Sequence, residues 1–182
     1  DGQLINMDLS YPDCGEQIIN QIDKATPPVE LLINNAARFE YDSLSTINNV
    51  SLDQHFFANV RGPILLSKAF FELVKKGQQG CVINILDNKI FALNPDYLSY
   101  TISKAALQCA TETFAMAMAP HVRVNGIAPG PTIKNKRQSV AHFKKQYLAT
   151  PLRRQVSVND ICNAVDFLIK NRSITGQVLA LD

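Results

Sequence analysis

The sequence predicts an α/β protein built on a parallel sheet, and three observations carry that prediction. Short β-rich runs alternate with segments of helical period along all 182 residues. The connections between runs are long enough to cross over rather than turn back. The run CVINIL at 81–86 is apolar at nearly every position, as expected of a strand covered on both faces.

The elements follow in order. QLINM (3–7) reads as a first strand, and a helix over roughly 14–25 follows it, closed by Pro27-Pro28. LLIN (31–34) is the second strand. Ser51 and Gln54 have the S-x-x-Q spacing of a capping box, opening a long helix that reaches about Lys76. CVINIL is the third strand. A helix from about Ser99 to Met118 is stopped by Pro120. VRVNGIA (122–128) is the fourth strand, broken by PGPT. Residues 136–149 read as helical, and Ser157 with Asp160 caps another helix to about Asn171. QVLALD (177–182) is the last strand. No internal repeat divides the chain, so residues 1–182 are expected to form one domain.

Composition narrows the function classes. With 46% hydrophobic and 19% charged residues, the chain can bury one sizeable core. A net charge of +2 is too small to imply nucleic acid as a partner. Cys14, Cys81, Cys109 and Cys162 form no CxxC pair, so neither a disulfide framework nor a zinc site is suggested. Cys81 and Cys109 sit inside apolar patterns and are expected to be buried. His55, His121 and His142 are scattered and cluster with no acidic residue. No leader pattern and no apolar run of membrane-spanning length is present, so a soluble cytoplasmic protein without a membrane partner is expected.

In open parallel sheets, ligands bind beyond the carboxyl ends of the strands. Asn34, Asn35, Asp87, Pro129 and Gly130 all lie at such ends. In YTISK (100–104), Tyr100 and Lys104 are four apart on one helix face. A tyrosine works as an acid only if its pKa of about 10 moves toward working pH, and a nearby ammonium favours the phenolate. Taken alone, the pair also fits a solvated Tyr–Lys contact. In FFANVRGPILL, Pro63 removes one donor and its ring clashes with the carbonyl four residues back, that of Asn59. That carbonyl is then free to hold a water, or the helix merely kinks. Asp87 itself is either a turn residue ending the strand or a carboxylate at the mouth of a site.

Together these residues resemble the short-chain dehydrogenase/reductase family across essentially the whole chain. LINNAA (32–37) is similar to its N-N-A-G motif, with Ala37 in place of the last glycine. Tyr100 and Lys104 match its Y-x-x-x-K, Asn59 its helix asparagine, and VRVNGIAPGPT (122–132) its R-V-N-x-I-x-P-G-x-x-x-T region. The resemblance implies a Rossmann-like doubly wound sheet and an NADP cofactor, with NAD also possible. It implies Tyr100 as acid/base, Lys104 lowering its pKa and holding the nicotinamide ribose, and Asn59 supporting a water relay to Lys104. Asp8 and Leu9 would meet the adenine. Asn35, Ala36 and Ala37 would line the cofactor, and Pro129, Gly130 and Thr132 would embrace the nicotinamide and phosphates.

Most of the family carries a serine thirteen residues before the tyrosine, where this chain has Asp87. One subgroup, the pteridine reductases and similar dihydromonapterin reductases, carries the aspartate. It also has a phenylalanine four residues after the second asparagine, here Phe39, stacked on the pterin. The resemblance therefore implies a reductase of a pterin-like C=N bond, with Asp87 and Phe39 binding the small-molecule substrate. An ordinary ketone/alcohol member, such as a 3-oxoacyl thioester reductase, and a non-catalytic relative are the alternatives. Lys134, Lys136, Arg137, Lys144 and Lys145 would form either a solvated basic face or a site for a phosphate or glutamate tail. The resemblance also implies a homo-oligomer, tetramer or dimer, through the helix over 51–76 and the one from Ser99. The family's T-G-x-x-x-G-x-G turn is absent, so roughly fifty upstream residues are expected from the size of a βαβ unit. QLINM would then lack a partner strand.

Overall fold

The computed structural model describes residues 2–23, 27–74, 78–135 and 138–182. Four parallel strands run side by side in the order β1-β2-β3-β4: Leu31–Asn34, Gly80–Ile85, Val122–Pro129 and Val178–Leu181. The helices are α1 (Cys14–Gln21), α2 (Asn49–Phe56), α3 (Gly62–Leu73), α4 (Leu98–Met118), α5 (Val140–Leu148) and α6 (Val158–Lys170). This is the Rossmann-like α/β architecture that the alternation predicts.

The flat hydrophobicity of CVINIL has the expected cause. Val82 packs with Phe70, Ala115, Met118 and Val124 under α3 and α4. Cys81 and Ile83 face the other way, packing with Ile127, Ala164 and Leu168 under α6. Leu86 continues the α4 side with Leu107 and Ala128. Both faces of β2 are thus dry, and period-2 alternation disappears.

The structure corrects several expectations. Residues 3–7 join no strand of the sheet, and Leu4 is 95% exposed. A strand is held by a neighbour's backbone hydrogen bonds, and this segment pairs with none of β1–β4. The capping box sits three residues earlier than predicted. Asn48 is the N-cap, accepting from Ser51 N–H at 3.0 Å while Ser51 Oγ accepts the Asn48 N–H at 3.3 Å. Cys81 is buried, but Cys109 is exposed, because position 109 falls on the outer stripe of α4. The predicted ends of two helices, at Lys24–Ala25 and Lys75–Lys76, and the start of a third at Lys136 lie outside the described residues.

The long helix expected from residue 51 is interrupted at Phe57–Arg61 by a π-helical turn. Gly62 N–H reaches back five residues to Phe57 O, and Pro63 follows at the start of α3. Proline cannot continue the α ladder, so the backbone widens just before it. Gly62 is needed there for a second reason. A Cβ on it would meet Leu9 O at 2.8 Å and Leu9 Cβ at 3.0 Å. The resembled R-V-N residues hold β4 in place. Arg123 donates from Nη1 to Leu168 O and Ile174 O, both at 3.0 Å, at the carboxyl end of α6. Asn125 bridges Ile174 O and Gln177 N–H.

Candidate active site

The carboxyl ends of β2 and β3, the start of α4 and α5 surround a cavity of about 620 Å³. Of the expected residues, Phe39, Asp87, Tyr100, Pro129, Gly130 and Thr132 line it. Lys104 lies one turn below Tyr100 on α4, buried at 2% exposure. Asn35, Ala36 and Ala37 are exposed in the loop after β1, on the same rim. Asp8 and Leu9 are outside the cavity. Asp8 closes a surface turn by accepting Ser10 N–H at 2.8 Å, and Leu9 lies against Gly62.

The centre is a contact between Tyr100 and Asp87. The phenol donates to Asp87 Oδ2 at 2.8 Å, while Oδ1 accepts Lys89 N–H at 2.8 Å. Asp87 therefore does both things its sequence position allows: it caps the short 3₁₀ turn Asn88–Ile90, and it meets the tyrosine. Burial pushes the Tyr100 phenol well above its ordinary value, and the Asp87 charge and hydrogen bond push the same way. Lys104 donates to Ile85 O at 2.6 Å, its Nζ 5.9 Å from the Tyr100 ring centre. Burial lowers the ammonium from 10.5 to about 8, against the pull of Asp87. The expected lowering of the tyrosine by the lysine is thus outweighed here by desolvation and the carboxylate. This shift keeps the phenol protonated but makes it a weaker acid, so burial and Asp87 work against the lowering that the acid role calls for.

Asn59, 1% exposed, sits in the π-helical turn and ties three pieces together. Its Oδ1 accepts Arg38 N–H at 2.7 Å, and its Nδ2 donates to Arg38 O and Ser103 Oγ, both at 2.9 Å. The side chain so fixes the loop carrying Phe39 to the helix carrying Tyr100 and Lys104. Asn34 points inward instead of lining the rim, donating to Asn84 Oδ1 at 2.8 Å and to Ser67 Oγ at 3.3 Å. Phe39 is 38% exposed, stacked on Tyr97 and edge-on to Tyr100.

Sequence reasoning missed several supports. Asp42, 2% exposed, caps α4 by accepting Ser99 N–H at 3.1 Å and the Ser99 and Ser51 hydroxyls. His55 is fully buried, its Nε2 accepting Glu40 N–H at 3.2 Å and its Nδ1 facing Ser51 O at 2.7 Å. Neither follows from a motif spacing: Asp42 meets Ser99 across 57 residues, and His55 meets Glu40 across 15. Of the basic residues, Lys134 turns back on Asn135 O and Gln138 O, and Lys144 and Lys145 are exposed on α5. Lys136 and Arg137 lie outside the described residues.

Fold and site together define a nucleotide-dependent oxidoreductase of the short-chain type, and comparison with known proteins agrees. The enoyl-(acyl carrier protein) reductase family model matches residues 1–182, and the chain belongs to this family of short-chain dehydrogenases/reductases. The crystal structure of FolM alternative dihydrofolate reductase 1 from Brucella canis, complexed with NADP, is 37% identical with a TM-score of 0.91. It is covered over 70% of its length by 98% of this chain. An uncharacterized oxidoreductase of Thermotoga maritima is 27% identical over 178 residues, 92% of this chain and 71% of the relative. An L-xylulose reductase of Caenorhabditis elegans is 29% identical over 163 residues, 85% of this chain and 65% of the relative. Among the described residues, no helix is long and apolar enough to cross a membrane.

Proposed function

We propose that the protein is an NADPH-dependent reductase of a flat, pterin-like C=N substrate. The observation that carries this reading is the 2.8 Å Tyr100–Asp87 hydrogen bond with Phe39 packed 4.6 Å from the same tyrosine ring. The likeness to an alternative dihydrofolate reductase supports it. The residues present fit a dinucleotide. An ammonium has three donors, and the Lys104 bond to Ile85 O leaves others for ribose hydroxyls at the carboxyl end of β2. The exposed backbone of Asn35, Ala36 and Ala37 and the end of β3 at Pro129, Gly130 and Thr132 would flank it, with Asp8 and Leu9 toward the adenine.

The nicotinamide, when bound, supplies the hydride. This chain's part is to hold the acceptor and give the proton. Phe39 offers a ring face to a flat substrate, and Asp87 can accept N–H donors from it. Tyr100 gives its proton to the imine nitrogen. The phenolate left beside the Asp87 carboxylate is offset by the Lys104 ammonium until solvent returns a proton. Asn59 keeps Phe39 and Tyr100 in mutual register through Arg38 and Ser103.

NADPH oxidation across dihydrobiopterin, dihydrofolate and an acetoacetyl thioester tests the reading. The dihydropterins should turn over fastest. Preference for the thioester would instead make this an ordinary carbonyl reductase. No turnover with any of them would leave the non-catalytic alternative.

A further inference from the structure

Tyr97 stands outside the resembled motifs, yet its ring meets Phe39, Tyr41 and Lys89 at the site. Its backbone is left-handed, φ 59 and ψ 50, at the N-cap of α4. A ring-bearing L residue adopts that conformation only when its surroundings hold it there. Here they do: Tyr97 N–H donates to Asp42 O at 2.9 Å, and Tyr97 O accepts Thr101 N–H at 2.9 Å. The result is that the ring lies flat against Phe39, centres 4.5 Å apart and planes 4° from parallel. Tyr41 meets the Tyr97 ring edge-on at 5.1 Å, and Lys89 Nζ sits 5.4 Å from its centre.

Phe39 itself lies in a segment without regular structure, tethered one residue away by the Asn59 clamp on Arg38. That clamp fixes the backbone but not the ring. A stacked partner covers one face of a ring, and Phe39 retains 38% exposure while lining the cavity. We propose that Tyr97 is a positioning residue that backs Phe39 and so makes the site selective for flat ring substrates. The inference rests on the reading of Phe39 as the substrate's platform. A planar substrate laid against the side of Phe39 that lines the cavity meets a ring already oriented. A non-planar carbonyl substrate gains nothing from that order.

The backbone suggests the informative variant. Glycine adopts φ near +60° freely, so Tyr97→Gly removes the ring while keeping the turn. Tyr97→Phe keeps the ring. In the full-length protein saturated with NADPH, Tyr97→Gly should raise KM for dihydrobiopterin roughly three- to tenfold, the scale of one aromatic pair. kcat should change less than KM. The preference for dihydrobiopterin over an acetoacetyl thioester should fall by a similar factor, and Tyr97→Phe should restore it. Equal losses on both substrates, or no change in KM, would overturn the role of Tyr97 while leaving pterin reduction standing. If the parent protein rejects dihydropterins, binding of a flat non-pterin bicycle, 1,4-naphthoquinone, decides the matter. Weaker binding by Tyr97→Gly than by the parent keeps the ring-backing role and removes the pterin. No binding of either flat ring removes both.

Discussion

Asp87 is the residue on which the substrate question turns, because a carboxylate here accepts the phenol proton that a serine would share. Replacing it by Ser should lower dihydropterin reduction by about a hundredfold or more, the loss of one positioned acid–base group. Reduction of a simple ketone should fall less, or rise. Asp87→Asn keeps the turn at Lys89 N–H but removes the charge, so it too should be asymmetric between substrates. Small, equal losses for both variants on both substrates would reduce Asp87 to a strand terminator. Lys104 offers a second test at the same scale. Its ammonium is drawn down to about 8, so the charge that offsets the phenolate is present below that pH and lost above it. Turnover should therefore decline as pH rises through about 8. A profile flat to pH 9.5 would contradict this role.

At the scale of elements, the start of α4 depends on a residue from another part of the chain. Asp42 accepts from the Ser99 backbone and from two hydroxyls at the helix that carries Tyr100 and Lys104. Burial raises its carboxyl pKa, but these hydrogen bonds overcome that and hold it below its ordinary value. A lowered folded pKa contributes stability above the unfolded value near 4, and that stability is lost as pH falls through the folded value. Asp42→Asn should cost roughly 1–3 kcal/mol at pH 7, the scale of a cap plus a buried charged hydrogen bond. Urea midpoints of variant and parent should converge once the pH has fallen below the lowered folded value of Asp42. A gap that persists there would mean packing, not charge, carries the cap.

For the whole molecule, exposed apolar side chains are spread over the surface, and a few of them fall on the outer faces of α3 and α4. Ile102 is 48% exposed and Met116 74% on α4, with the small Ala105 and Cys109 between them, and Phe71 is 36% exposed on α3. A stripe of this kind permits close helix approach and is stable in water when a second copy covers it. The protein is expected to be a homo-oligomer, dimer or tetramer. Light scattering at micromolar concentration checks this, and a monomer mass would refute it.

The sequence by itself determined the parallel sheet and the location of the rim. LLIN, CVINIL and VRVNGIA announce their strands through local composition, and the α6 cap at Ser157–Asp160 forms as its spacing predicts. Tyr100 and Lys104 stand out in the sequence by their spacing and Asp87 by its place at a strand end, both local features, while Phe39 is singled out only by the family resemblance. Only the tertiary structure decided what those residues do to one another. The carboxylate and burial outweigh the ammonium at Tyr100, since both depend on what packs around the ring. Asp42 reaches Ser99 across 57 residues, and Asn59 reaches Ser103 across 44. Tyr97 is bent into a left-handed turn that its own side chain disfavours, because Asp42, Phe39 and Tyr41 hold it there. Propensity and periodicity act over a turn or a strand. Contacts between distant segments set pKa values and ring orientation, and those exist only once the chain has folded.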